Sequence, residues 1–382
     1  MITDYFNATI NQARERARVL KAKIPNPVIA PELVGLQGIC ESRLDDIIAS
    51  LDYLINDPQI NRPELLRERI RFFRRILEDL SMIEGTGITA LNRIHADDVF
   101  LDKIVFQIHQ EIRFPLRPPA VTCISQSYFG IWPSLGLMSV PLAESDFLLH
   151  LPDIYHELGH LLFSTENPKV EAFQRQRAKF IGAVREYLRE EVALTKRSTG
   201  PTEYQLLILK GLDRSWIPWS EELFCDLFAL YTVGPAYAWA HLHLTASHTS
   251  APFNVRLEGE HPPDEARMRV LLAGLSILNR DADAQAIARR WDELLRITGH
   301  SATPLYRRSC PDALLEQAAV YAHEGTKQIG CAIASKGGRT ISGLLNNAWE
   351  SFWKDPSNYA EWEKNTIATI RQAIQPKLPN IP

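Results

Sequence analysis

The chain is short of the features that would set it apart from an ordinary folded protein. Its five cysteines, Cys40, Cys123, Cys225, Cys310 and Cys331, are odd in number and widely spaced in 382 residues. No disulfide framework or four-cysteine zinc site is visible in that spacing, which points to a reducing, cytoplasmic interior. Neither sign of charge dominates: 42 Lys and Arg stand against 46 Asp and Glu, a formal net charge of -4. No wholesale attraction to polyanions follows, so nucleic acid is not expected as a partner. The opening Met1-Ile-Thr-Asp-Tyr-Phe-Asn7 lacks the basic-then-apolar order of a signal peptide. Leu227 to Leu244 is free of charged residues, but Gly234-Pro235 interrupts it and Thr232, His241 and His243 are polar. It reads as the buried end of one helix and a following element, not a membrane span. No internal repeat or long low-complexity tract is present.

With 45% hydrophobic and 23% charged residues, the chain has material for two or three globular domains. Up to residue 115 it reads as helical: Leu66, Ile70, Phe73, Leu77 and Leu80 recur at helical spacing, with Pro63 at a helix start. Arg67, Arg71, Arg74 and Arg75 form a basic stripe, but Glu64, Glu68, Glu78 and Asp79 interleave with it, as on a solvated helix face. Strand-forming residues concentrate between Val121 and Val140, where Thr122 to Trp132 alternates loosely, Pro133-Ser134 turns the chain and Gly136 to Val140 reads as a short strand. Helical patterning returns at Val270 to Leu278, Ile287 to Leu295, Leu314 to His323 and Leu344 to Ile374. The expected class is α+β and predominantly helical. A core with a small sheet spans 116–270, between helical regions at 1–115 and 271–382.

The chemistry concentrates in that core. His156-Glu157-Leu158-Gly159-His160 puts two histidines four apart, on one helix face, where they can hold a zinc ion, with Glu157 beside them to act on a water that the metal activates. Ile154, Leu158, Leu161 and Leu162 supply the apolar side of that helix. A catalytic zinc takes three protein ligands, and Glu222 and Asp226, also four apart, supply the carboxylates. Glu222 is assigned to the metal and Asp226 to orienting a ligating histidine. The adjacent Glu221 is rotated about 100° away from that face and reads as solvated. Cys225 between them reads as a buried apolar residue. In Glu260-His261-Pro262-Pro263 the proline pair places His261 on a rigid turn at a helix mouth. His241, His243 and His248 fit no common zinc spacing, and Lys336-Gly-Gly-Arg339 reads as a turn.

These pieces, HExxH, then ExxxD, then His-Pro-Pro with Arg267 downstream, resemble the zincin metallopeptidases whose third ligand is glutamate, most closely the soluble catalytic core of the M48 type. The resemblance covers the middle third of the chain. It implies a zincin-like core, one zinc per chain on His156, His160 and Glu222, and Glu157 as general base. It places Asp226 in a stabilising role, His261 and Arg267 near the site, and a protein or peptide as substrate. His261, or a tyrosine the sequence does not single out, would stabilise the oxyanion. In zincins a strand in the position of the one here forms a rim along which an extended substrate lies. The stretch Glu222 to Ala229 also resembles the ExxxN/D-x-F-A helix of regulatory peptidases that cleave repressors. A zinc-stabilised binding protein without turnover is the rival class, and Glu157 speaks against it, since a structural site closes all four positions and has no use for a base.

Overall fold

The computed structural model describes residues 2–26, 31–57, 62–93, 96–125, 128–197, 203–247, 251–335 and 340–374. His248 and Lys336-Gly-Gly-Arg339 lie outside the described residues. The protein is predominantly helical with one small sheet. Contacts divide it into two compact units, Met1–Lys103 with Pro119–Leu142, and Ile104–Pro118 with Ala143–Pro382. This grouping departs from boundaries at 115 and 270.

The first unit contains α1 (Ile2–Ala22), α2 (Val34–Asn56), α3 (Leu66–Met82), α4 (Thr89–Asn92) and the start of α5 (Ala96–Glu111). Helix α2 buries Leu36, Cys40, Leu44, Ile47, Leu51 and Leu54 at steps of three or four, one stripe facing one core. In α3 the buried face is Phe73, Ile76 and Leu80, while Ile70 and Leu77 lie at its half-buried edge. Arg71, Arg74 and Arg75 are exposed, as expected of a solvated face. Strands β1 (Ala120–Ser125), β2 (Gly130–Trp132) and β3 (Leu137–Pro141) form a sheet with β3 in the centre, parallel to β1 and antiparallel to β2. Ala120, Leu135 and Leu137 join the same core as α1, α2 and α3, which is why the sheet groups with the N-terminal helices.

The second unit holds α6 (Asp153–Leu161), α7 (Glu171–Arg197), α8 (Glu203–Val233), α9 (Pro235–Ser247), α10 (Asp264–Ile277), α11 (Asp281–Thr298), α12 (Pro304–Ser309), α13 (Asp312–Gln328), α14 (Ile341–Lys354) and α15 (Tyr359–Ile374). Its axis is α8, against which α6, α7, α10 and α13 pack. Because α13 also packs on α7 and α10, the chain beyond 270 belongs to the same body as the middle of the sequence. Phe173 and Phe180 of α7 meet Phe224 of α8 at ring separations of 5.6 and 5.8 Å. Helix α8 ends at Gly234, whose φ of 93° suits only glycine without strain. Pro235 then opens α9, so the uncharged Leu227 to Leu244 stretch is two helices meeting at a corner. The Asn346 side chain spans that corner, donating to the Val233 carbonyl and accepting from the Ala236 N–H. Among the described residues no helix is long and apolar enough to cross a membrane. The helical pattern from Leu344 to Ile374 is likewise divided, at Asp355, into α14 and α15.

One close approach decides where the site forms. Helix α6 crosses α8 at Gly159, where a Cβ would sit 2.9 Å from the Cα of Cys225 and 3.1 Å from its Sγ. A backbone atom at that distance cannot yield as a flexible side chain would. Gly159→Ala is expected to force the helices apart and cost about 1–3 kcal/mol, read as a lowered urea midpoint with an unchanged m-value. An unaltered midpoint would show that the crossing tolerates the methyl group.

Candidate metal centre

Residues from four helices and one turn converge beside that crossing. His156 and His160 lie one turn apart on α6, and their Nε2 atoms face each other at 3.2 Å. Glu222, from α8, brings Oε2 to 3.5 Å from His156 Nε2 and Oε1 to 3.6 Å from His160 Nε2. Ligand atoms about 2.0–2.1 Å from a tetrahedral ion are separated by about 3.3 Å, close to this spacing. The three side chains are the one group of metal-ligand type found among the described residues, with ligand atoms all within 4.8 Å of one another. Glu222 Oε2 is buried and, among the described residues, accepts no hydrogen bond, its nearest donors being His156 Nε2 at 3.5 Å and His261 Nε2 at 3.6 Å. A buried carboxylate oxygen left without a donor is costly, and a cation between the three side chains would satisfy it. The donor set of two imidazoles and a carboxylate suits zinc.

His156 is held from behind. His156 Nδ1 lies 2.9 Å from Asp226 Oδ1, one turn after Glu222 on α8. Asp226 is fully buried and receives two hydrogen bonds from Arg267, Nε to Oδ2 at 2.8 Å and Nη2 to Oδ1 at 2.6 Å. Arg267 is aimed by the Pro-Pro turn: Pro263 is extended at ψ 139°, α10 starts at Asp264, and Arg267 N–H donates to the Pro263 carbonyl to close the first turn. Tyr237, in the first turn of α9, donates to Asp226 Oδ1 and lies 2.9 Å from His156 Nδ1. Sequence reasoning did not find this residue. It lies eleven positions beyond Asp226, and only the Gly234-Pro235 corner, whose presence was legible, brings it back. Its buried hydroxyl meets His156 on the Nδ1 side, away from the Nε2 that faces His160 and Glu222.

Glu157 is buried, and among the described residues its carboxylate makes no hydrogen bond or ion pair. Burial pushes its pKa up, while His156 and His160 pull against that. His261 sits on the turn as expected, 60% exposed, with Nε2 at 3.6 Å from Glu222 Oε2. It does not join the three-ligand group. Glu221 departs from expectation. Its Oε1 lies 3.5 Å from His160 Nδ1 and its Oε2 lies 3.5 Å from Arg177 of α7, so it faces the site's second histidine. Cys225 is buried, its thiol raised well above the ordinary range by burial. His241 engages the Asp264 carbonyl and His243 packs against Trp349, both in structural contacts.

A cleft of about 330 Å³ lined by Asn254, Arg256, Glu260 and His261 opens at the exposed side of the site. A larger one of about 950 Å³, lined by Trp239, Trp349, Trp353 and Arg290 among others, contains none of the ligand residues. Comparison with protein-family models, curated proteins and solved structures gives no match. The reading of function therefore rests on the arrangement of side chains.

Burial alone would lower the His156 pKa, but its contacts with Asp226 and Glu222 outweigh that and raise it to about 10. Burial likewise favours the neutral form of Glu222, yet His156 and Arg267 bring its pKa down to about 2. In the metal-free chain His156 is thus protonated at neutral pH. That proton stabilises the fold below the ordinary 6.5, and its contribution is lost as pH rises through about 10. A zinc ion bound through His156 would have to displace it, so any zinc affinity is expected to rise roughly tenfold per pH unit above neutrality, levelling off near the raised pKa. Calorimetry in buffers of different ionisation enthalpy should register about one proton released at pH 7. Zinc uptake without proton release would remove His156 from the ligand set.

Proposed function

We propose that the chain is a zinc-dependent peptidase with a zincin-like catalytic core, hydrolysing protein or peptide substrates. The observation that carries this reading is the convergence of His156, His160 and Glu222 beside a buried Glu157 carboxylate that, among the described residues, makes no hydrogen bond or ion pair. Among the described residues no fourth side chain completes the group, as a catalytic site requires and a structural zinc site does not. When bound, zinc supplies Lewis acidity and lowers the pKa of a water toward ~7.

The chain's own residues perform the remaining tasks. Glu157 takes the proton of the attacking water and returns it to the leaving amine, a role suited to a carboxylate whose pKa burial has raised. His261, exposed on its rigid turn, faces the same opening and donates to the carbonyl oxygen as it gains charge. Asp226, neutralised by Arg267, accepts from His156 and fixes the imidazole that must present Nε2. The cleft lined by Asn254, Arg256 and Glu260 gives a substrate chain room beside His261. Repressor-cleaving peptidases would share this chemistry. A zinc-stabilised binding protein would leave a buried base without work.

Elemental analysis of purified protein is expected to find one zinc per chain, and Glu222→Ala to lose most of it. Glu157→Gln should keep both zinc and fold while abolishing cleavage of an unfolded protein substrate, because the amide preserves the shape and cannot accept the proton. Turnover equal to wild type in Glu157→Gln, or a folded protein unable to take up zinc, would overturn the reading.

A further inference from the structure

We infer that Glu221 and Arg177 are positioning residues for His160, forming a second carboxylate and arginine support that parallels the one Asp226 and Arg267 give to His156. The inference rests on the metal-binding reading above and extends it to how the second ligand is held. His160 turns Nε2 toward His156 at 3.2 Å and toward Glu222 at 3.6 Å. If that nitrogen offers its lone pair to an ion, the ring proton must sit on Nδ1, and an acceptor there fixes the tautomer and the ring angle. Glu221 Oε1 faces that Nδ1 at 3.5 Å, an ion-pair separation slightly longer than a hydrogen bond.

Glu221 would be a poor anchor if it were free to swing, and Arg177 restrains it. The guanidinium reaches from α7 to 3.5 Å from Glu221 Oε2, donates to Ser220 Oγ at 3.0 Å and to the Ile217 carbonyl at 2.6 Å, and lies 5.0 Å from the centroid of the Phe163 ring. These contacts fall where Pro218 interrupts the hydrogen-bond ladder inside α8, one turn before the metal-ligand Glu222. Arg177 thus ties α7 to the irregular part of α8 and to the end of α6, with Glu221 held between it and His160. Two histidines are each backed by a carboxylate, and each carboxylate by an arginine from a third helix.

The two supports are unequal. Asp226 is fully buried and gripped bidentately, whereas the Glu221 side chain is 34% exposed and meets single nitrogens at 3.5 Å. Water and salt screen the second support more than the first. Loss of Glu221 should therefore weaken zinc binding toward the lower end of the usual range for such partners, about 10-fold, and loss of Asp226 toward the upper end, about 100-fold.

Chelator competition on purified full-length protein, with folding verified by circular dichroism, tests this without recourse to activity. Glu221→Ala is expected to weaken zinc by about 10-fold, and Glu221→Gln, which keeps an acceptor but no charge, by less. Arg177→Met should weaken it too. The double variant should be no worse than Glu221→Ala alone, because the two residues act as one unit. Arg177→Lys, which keeps the charge, tests the same point if the methionine variant fails to fold. Raising the salt concentration should narrow the gap between wild type and Glu221→Ala. A wild type that binds zinc while Glu221→Ala binds it equally well overturns this inference and leaves the peptidase reading standing. A wild type that binds no zinc overturns both.

Discussion

The second unit is organised around one buried charge. Moving an ionised carboxylate from water into a protein interior costs several kcal/mol even after relaxation, and Asp226 is fully buried. Burial would raise its pKa, but the two hydrogen bonds from Arg267 outweigh that and hold it well below the ordinary range, so it stays ionised. Its remaining capacity goes to Tyr237 and His156. The four residues come from α8, α10, α9 and α6. Because the carboxylate is tolerable only with all its partners in place, it fixes the mutual position of four helices, and two of them, α6 and α8, carry the His156, His160 and Glu222 cluster.

A second balance follows from the first. Among the buried carboxylates, Glu157, Glu222 and Asp226 lie on α6 and the facing turns of α8 against one arginine in direct contact, Arg267 on Asp226. In the metal-free chain the shortfall of positive charge is met by a proton on His156, which is why two carboxylates raise its pKa against the pull of burial. A divalent cation held by the same atoms would supply that charge and leave Glu222 Oε2 with a partner. In the proposed reading, proton and metal compete for one electrostatic vacancy, which the fold creates by bringing Glu222 and Asp226 to the histidines.

Much of this was legible in the sequence wherever a helix face or a rigid turn carried the information. The four-residue spacings within His156 to His160 and Glu222 to Asp226 held because both stretches are helical, and the Pro-Pro turn delivered Arg267 to Asp226 because proline leaves the local backbone little choice. What escaped was set by crossing geometry. Helix phase places Glu221 off one face of α8, but His156 and His160 sit a turn apart on a crossing helix. The first looks toward Glu222 and Asp226; the second lies far enough along to meet Glu221. Tyr237 and Arg177 could not be ranked, since nothing in their neighbourhoods marks a tyrosine in α9 or an arginine in α7 as different from its fellows. The strand material was located, yet its grouping with α1 to α3 depends on Ala120, Leu135 and Leu137 sharing their core, a non-local fact.

Burial grades the two sides of the site. On the inner side are Asp226, Arg267, Tyr237 and His156, with hydrogen bonds at ordinary distances and little water to compete. On the outer side are His160, Glu221 and His261, more exposed and separated by about half an ångström more than a hydrogen bond requires. A hydrolytic site of the kind proposed would need this gradient. Residues that hold an ion would have to be rigid enough to prepay the cost of assembling charge around it, while groups that meet a substrate would have to exchange water for it. Gly159 lets the inner side close by bringing α6 against the α8 backbone, and the proline pair keeps His261 outside that packing at a fixed angle. Two separate stretches thus divide the work, the α6 crossing closing the inner side and the proline turn keeping the outer side open beside His261.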